Sequence, residues 1–108
     1  IKESDIIKSI LEYLHYKGIF AWRANSGTFF FKDIRSNKTR MFRAGMKGMS
    51  DIIGILSGGV MICIEVKAKG KLHTPDQIYF PDKIKEYGGI AFVANNLSDI
   101  ESNLKDFF

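Results

Sequence analysis

A single cysteine, Cys63, in a chain of 108 residues rules out an internal disulfide framework. It sits inside an apolar stretch, which points to a reducing compartment, and the expected location is the cytoplasm. One cysteine and two separated histidines, His15 and His73, give no recognised zinc spacing, so zinc ligation is not expected. No run of 18 apolar residues occurs, and the amino-terminal stretch is charged and amphipathic, fitting neither a membrane span nor a signal peptide. There is no internal repeat and no low-complexity tract, so a linker is not expected. What remains is ordinary globular composition, with 45% hydrophobic and 26% charged residues. Such a chain is expected to fold as one domain, 1–108, around one core.

The formal net charge of +4 is modest but unevenly spread. Between Arg23 and Lys47 lie seven basic residues and one acid, Asp33. A local excess of this kind attracts a polyanion by releasing its counterions, and the affinity falls steeply with salt. Trp22, Phe29, Phe30, Phe31 and Phe42 interleave with these cations, a mixture suited to backbone contacts and stacking on exposed bases. Most of these aromatics are expected in the core, with one or two lining a groove.

Apolar residues Ile7, Ile10, Leu11 and Leu14 recur at helical spacing, predicting a helix over 3–17 with Gly18 as its stop. At roughly 100° per residue, Glu3 projects within about 40° of that stripe, so it faces whatever the helix packs on, whereas Glu12 points to solvent. A strand over 19–24, a pair of short strands over 28–32 and 39–42, and a polar connection between them follow. Further on, Thr74-Pro75-Asp76-Gln77 has the order of cap, first-turn proline and capping-box residue that opens a helix. Pro81 removes a hydrogen bond from that helix, so a kink or a restart is expected there. Gly88-Gly89 closes it, residues 90–94 read as a buried strand, and 98–107 as a last helix. The strand after the long helix must return beside the preceding hairpin. The expected fold is α/β, a mixed sheet with helices on both faces in a three-layer α/β/α sandwich.

The central stretch, 48–69, consists of two β-branched runs around Ser57-Gly58-Gly59, a hairpin signal. Its charges are out of character for core strands: Asp51 opens the first run, and Glu65 and Lys67 end the second. If residues 57–59 form a three-residue loop pairing Leu56 with Val60, then Ile53 opposes Cys63 and Asp51 opposes Glu65. Opposed side chains have Cβ atoms only about 5 Å apart, and Lys67 shares their face. A two-residue turn at Gly58-Gly59 would slip the register by one and turn Glu65 away. Two carboxylates so close repel and are costly to desolvate, so a cation is expected between them. A salt bridge from Glu65 to Lys67 or Lys69 leaves Asp51 unexplained.

Hard oxygen donors of this kind suit Mg²⁺, or Mn²⁺ in its place, which keeps several waters and takes few protein ligands. Asp51, Glu65 and the backbone carbonyl of Val66 are the candidate ligands, with Lys67 placed to orient a water or offset developing charge.

The ordered set of Ser50-Asp51, an apolar strand, Gly58-Gly59 and Glu65-Val66-Lys67 resembles the PD-(D/E)XK nuclease core, and more narrowly the VRR-NUC family. Trp22 to Gly27, Thr74 to Gln77, Gly88-Gly89 and the acidic first helix extend the likeness over nearly the whole chain. Ser50 stands where the superfamily signature has proline, as is common in that family. The resemblance implies a restriction-endonuclease-like sandwich and a Mg²⁺-dependent endodeoxyribonuclease. It casts Asp51 and Glu65 as metal ligands, Lys67 as the catalytic lysine, Gln77 as a helix residue near the site and Glu3 as the helix acid. Stand-alone phage domains of this type are similar to Holliday-junction resolvases, which implies branched DNA (a four-way junction or a flap) as substrate, a homodimer, and the host cytoplasm as location. Neither a membrane nor a small-molecule substrate is implied. Arg23, Asn25, Ser26, Lys32, Arg35, Lys38, Arg40, Arg43, Lys47, Lys69, Lys71 and His73 are the expected nucleic-acid contacts. The alternative reading is a non-catalytic nucleic-acid-binding module that uses the basic segment 23–47.

Overall fold

The structure, a computed structural model, describes residues 2–24, 27–45, 48–68 and 75–108, with the backbone alone for 27–29, 31, 42–44 and 75–77. In chain order it contains α1 (Glu3–Tyr16), β1 (Phe20–Arg23), β2 (Gly27–Lys32), β3 (Thr39–Ala44), β4 (Ile52–Ile55) and β5 (Met61–Val66). Then come α2 (Pro75–Glu86), β6 (Ile90–Ala94), α3 (Leu97–Leu104) and a closing 3-10 turn at Lys105–Phe107. Four strands form a mixed sheet in the order β1-β4-β5-β6, antiparallel except for the last pair, and β2 and β3 form a separate antiparallel ribbon.

The first helix buries Ile7, Ile10 and Leu14 of the predicted stripe and leaves Leu11 half-buried and Glu12 exposed. It stops where Gly18 takes φ +77°, a left-handed conformation that costs glycine little. Alternation along the strands sorts the sheet's side chains into two buried groups. Ile52, Ile62, Ile64 and Val66 pack with Ile7, Ile10 and Leu14 of α1 and with Ile100 and Leu104 of α3. Ile53, Cys63 and Ala91 pack with Phe80 and Ile84 of α2. The tail is tied to α1 by the Tyr13 hydroxyl, which donates to Glu101 Oε1 at 2.8 Å, and by Phe108, edge-on to the Tyr13 ring at 5.8 Å.

Of the kink or restart expected at Pro81, the restart does not occur: the second helix runs from Pro75 to Glu86 through it, since proline's fixed φ is itself helical. Trp22 and Phe30 are 40% and 70% exposed, within the one or two aromatics expected outside the core. Trp22 lies on the outermost strand, tilted against Phe20 at 5.2 Å, and α2 packs over β5 and β6 instead. The side chains of Phe29, Phe31 and Phe42 lie outside the described residues.

The free edge of β1 is partly closed. Ala24 N–H donates to Asp51 C=O, so in the alternating antiparallel pattern the peptide of Ala21 faces outward. His15 Nε2 lies 2.8 Å from the Ala21 carbonyl and donates to it, removing one acceptor from an otherwise pairable edge.

Tight packing at Gly89 gives a direct check on the α2–β6 joint. A Cβ there would lie 2.5 Å from Ile84 Cγ2 and 3.0 Å from the carbonyls of Ile84 and Met61. Overpacking of this kind costs about 1–3 kcal/mol. Gly89→Ala should therefore lower the thermal midpoint by several degrees, read by circular dichroism, and an unchanged midpoint would show that the joint can relax.

The β2–β3 ribbon stands apart. Its strands pack on each other and, among the described residues, on no other helix or strand beyond marginal contact, and no described side chain of theirs enters either buried group. The principal extents are 54 × 32 × 28 Å and the radius of gyration is 15.7 Å, against roughly 13 Å for a compact chain of this length. Among the described residues, no helix is long and apolar enough to cross a membrane.

Candidate functional site

The hairpin of β4 and β5 has the three-residue loop. Leu56 N–H donates to Val60 C=O at 2.8 Å, and Ile52, Ile53, Gly54 and Ile55 oppose Ile64, Cys63, Ile62 and Met61. One step beyond, the same register sets Asp51 against Glu65. The turn residues make this possible: Gly58 and Gly59 both take positive φ, +91° and +82°, a conformation open to glycine.

At that end the ladder changes character. Val66 N–H is taken by Asp51 Oδ2 at 2.8 Å, a side chain standing in for a strand carbonyl. The N–H and C=O of one strand residue share an edge, so the Val66 carbonyl looks the same way, towards Asp51. The next positions are held as firmly. Lys67 N–H donates to Ala94 C=O at 3.1 Å, Asn95 Nδ2 donates to the Lys67 carbonyl at 2.7 Å, and Ala68 N–H donates to Glu3 Oε1 at 3.1 Å. Glu3 does face inward as its helical phase requires, and it reaches the strand end carrying Lys67.

Glu65 is 5% exposed. Burial, then the negative charge of Asp51, push its carboxyl from 4.5 up to about 8; Lys67 opposes the shift, while a hydrogen bond with the Asp51 side chain and the charge of Glu3 add to it. Two carboxyl groups this close repel when both are charged, so the place between them favours positive charge. Lys67 Nζ supplies part of it, 3.8 Å from Glu65 Oε1, with only 14% of its side chain exposed.

Among the described residues, no three His, Cys, Asp or Glu side chains come together as a metal-holding group. The donors available to a hard cation are therefore Asp51, Glu65 and the Val66 carbonyl, a set that fits an ion keeping most of its own waters. Cys63 offers nothing comparable: burial pushes its thiol up to about 11, far from a reactive thiolate.

Of the expected nucleic-acid contacts, Arg23 is exposed at the end of β1, opposite Ile52 and next to Asp51's partner Ala24. Lys32, Arg35, Lys38 and Arg40 are exposed on or beside the ribbon's tip. Arg40 is engaged, its Nε donating to Asp33 Oδ2 at 2.6 Å. Asn25, Ser26, Lys47, Lys69, Lys71, His73 and the cap Thr74 lie outside the described residues, as do the side chains of Arg43 and Gln77. Asn95 was not anticipated. The pairing of Val66 with Ala94 brings it beside Lys67, and an Asn directly after the strand that returns to β5 is the only sequence signal for it. Compared with known proteins, the chain matches no family model and no curated protein at significant sequence similarity.

Proposed function

We propose that the chain is a metal-dependent, structure-specific DNA endonuclease of the VRR-NUC type, hydrolysing phosphodiester bonds in branched DNA. The observation that carries this reading is the juxtaposition of Asp51 and buried Glu65 across the β4–β5 register, with Lys67 Nζ 3.8 Å from Glu65. A structural ion pair needs one carboxylate, and setting a half-buried second one, Asp51, against buried Glu65 and one lysine is unfavourable unless further positive charge is to be held. The two packed sides of the sheet, α1 and α3 on one and α2 on the other, are compatible with the three-layer restriction-endonuclease-like sandwich this reading entails.

A bound Mg²⁺ would polarise the scissile phosphate and lower the pKa of a coordinated water. Asp51, Glu65 and the Val66 carbonyl would hold it. Lys67 has the reach to orient the attacking water and to offset charge growing on the phosphate oxygens, while Asn95 and Glu3 keep the backbone of residues 67 and 68 from shifting. In the reaction, water oxygen bonds to phosphorus, the bond from phosphorus to the leaving sugar oxygen breaks, and that oxygen takes up a proton. The protein acts as a homodimer in the host cytoplasm on this reading. The exposed Phe20 and Trp22 rings on β1, with Ile55 in register with Phe20 and 41% exposed, offer apolar surface to a second copy.

Incubation with linear duplex, single-stranded, flap and four-way-junction DNA, in Mg²⁺, Mn²⁺ or EDTA, tests the proposal. Cleavage of branched substrates in Mg²⁺ and none in EDTA is expected. Intact substrates under every metal condition, with salt-sensitive binding retained, would leave the non-catalytic module as the reading.

A further inference from the structure

We infer that the β2–β3 ribbon is the element that recognises interrupted base stacking, with Lys32, Arg35 and Lys38 on phosphates and the Phe30–Met41 pair wedged in at the branch, where it displaces a base from its stack. This rests on the nuclease reading above and names what selects its substrate.

Phe30 and Met41 are direct cross-strand partners, 70% and 63% exposed. A ribbon that shields neither residue against the body leaves both for a partner. The chemistry around them indicates which one. Asp33 is the sole acid from Arg23 to Lys47, and it is turned inward on the ribbon's own tip: Oδ1 accepts from Arg35 N–H at 2.9 Å and Oδ2 from Arg40 Nε at 2.6 Å. The tip is further closed by Asp33 N–H to Lys38 C=O and Asn37 N–H to Asp33 C=O, both 2.8 Å. With the acid thus occupied, exposed Lys32, Arg35 and Lys38 present cations beside an apolar pair. That combination complements a phosphate backbone with an accessible base face.

Position agrees with the chemistry. Both roots of the ribbon, Ala24 and Gly48, lie at the end of the sheet where Asp51 leads into β4, for Ala24 N–H bonds the Asp51 carbonyl and Gly48 precedes Asp51 by three residues. Six-residue strands extend roughly 20 Å, about half a turn of duplex. DNA engaged by the ribbon is thereby brought to the carboxylate pair.

The test uses the full chain in EDTA, with a four-way junction carrying 2-aminopurine at the branch and a linear duplex carrying it internally. The wild type should raise the junction's fluorescence severalfold and leave the duplex unchanged. Phe30→Ala with Met41→Ala should abolish the rise and weaken junction binding about tenfold, towards duplex affinity, while Phe30→Trp should keep the rise. Lys32→Ala, Arg35→Ala and Lys38→Ala together should weaken both DNAs alike and reduce the slope of log affinity against log salt by about 0.9 for each phosphate no longer neutralised. An unaltered rise in the Phe30/Met41 variant overturns the inference, as does a change in its sedimentation from dimer to monomer, which would assign the pair to a second copy. Ribbon-dependent fluorescence without cleavage in Mg²⁺ would overturn the nuclease reading alone, and cleavage indifferent to the ribbon would overturn this inference alone.

Discussion

Glu65→Gln is expected to reduce junction cleavage in Mg²⁺ by about a thousandfold or more, because it removes one of two anionic donors from a site whose charge stabilisation supplies most of the rate. The amide is close in size to a protonated carboxyl, and burial beside Asp51 already favours the protonated form. The variant should therefore fold normally, with an unchanged far-ultraviolet circular dichroism spectrum, and its loss should appear in single-turnover cleavage. Asp51→Asn should lose as much activity, yet its amide oxygen can still accept from Val66 N–H, so the strand end should hold. Lys67→Met should lower the single-turnover rate more than DNA affinity, since Lys67 acts on developing charge. Cleavage by Glu65→Gln at the wild-type rate would remove these residues from the mechanism.

The second large effect is on stability. In EDTA, the free energy of unfolding should fall as pH rises from about 4.5 through about 8. The sign follows from the protons: Glu65 holds its proton to about 8 when folded and releases it near 4.5 when unfolded. In that window the folded chain binds more protons, so raising the pH favours unfolding. Each unit of difference is worth about 1.4 kcal/mol, and the total should reach a few kcal/mol. Glu65→Gln should flatten this slope and be more stable than wild type above pH 8. Asp33 cannot mimic the effect, since Arg40 and Arg35 hold its carboxyl below 3.8, where stability is lost only as pH falls further. Urea titrations at pH 5, 6.5 and 8.5 would measure it. A wild-type curve that is flat or rising over this range would mean that Glu65 is not buried against Asp51.

Much of this was legible in the chain. The stripe of Ile7, Ile10 and Leu14 and the stop at Gly18 are local matters, settled within a few residues by helical spacing and by glycine's tolerance of positive φ. The hairpin was legible too, from Gly58-Gly59 and two β-branched runs, but its loop parity, on which the meeting of Asp51 and Glu65 depends, was not. Side chains in strands alternate with period two, and a slip by one would have reversed every face.

Other features depend on what lies across space. Trp22 and Phe30 are apolar enough for a core, but α2 packs over β5 and β6, and the ribbon folds on itself. Hydrophobicity states only that burial is favourable; which surfaces find a cover depends on topology. Asn95, 28 positions from Lys67, becomes its clamp through the parallel pairing of β5 and β6. Glu3 lies 65 positions from Ala68 and reaches it because α1 packs over β5. By itself, then, the sequence determined the elements and narrowed the β4–β5 register to two, since these follow from local periodicity and turn chemistry; the folded hairpin took the three-residue loop that sets Asp51 against Glu65. Only the tertiary structure decided how deeply Glu65 is buried, what clamps the strand end and which aromatic rings stay exposed, because those depend on long-range packing and the desolvation it imposes.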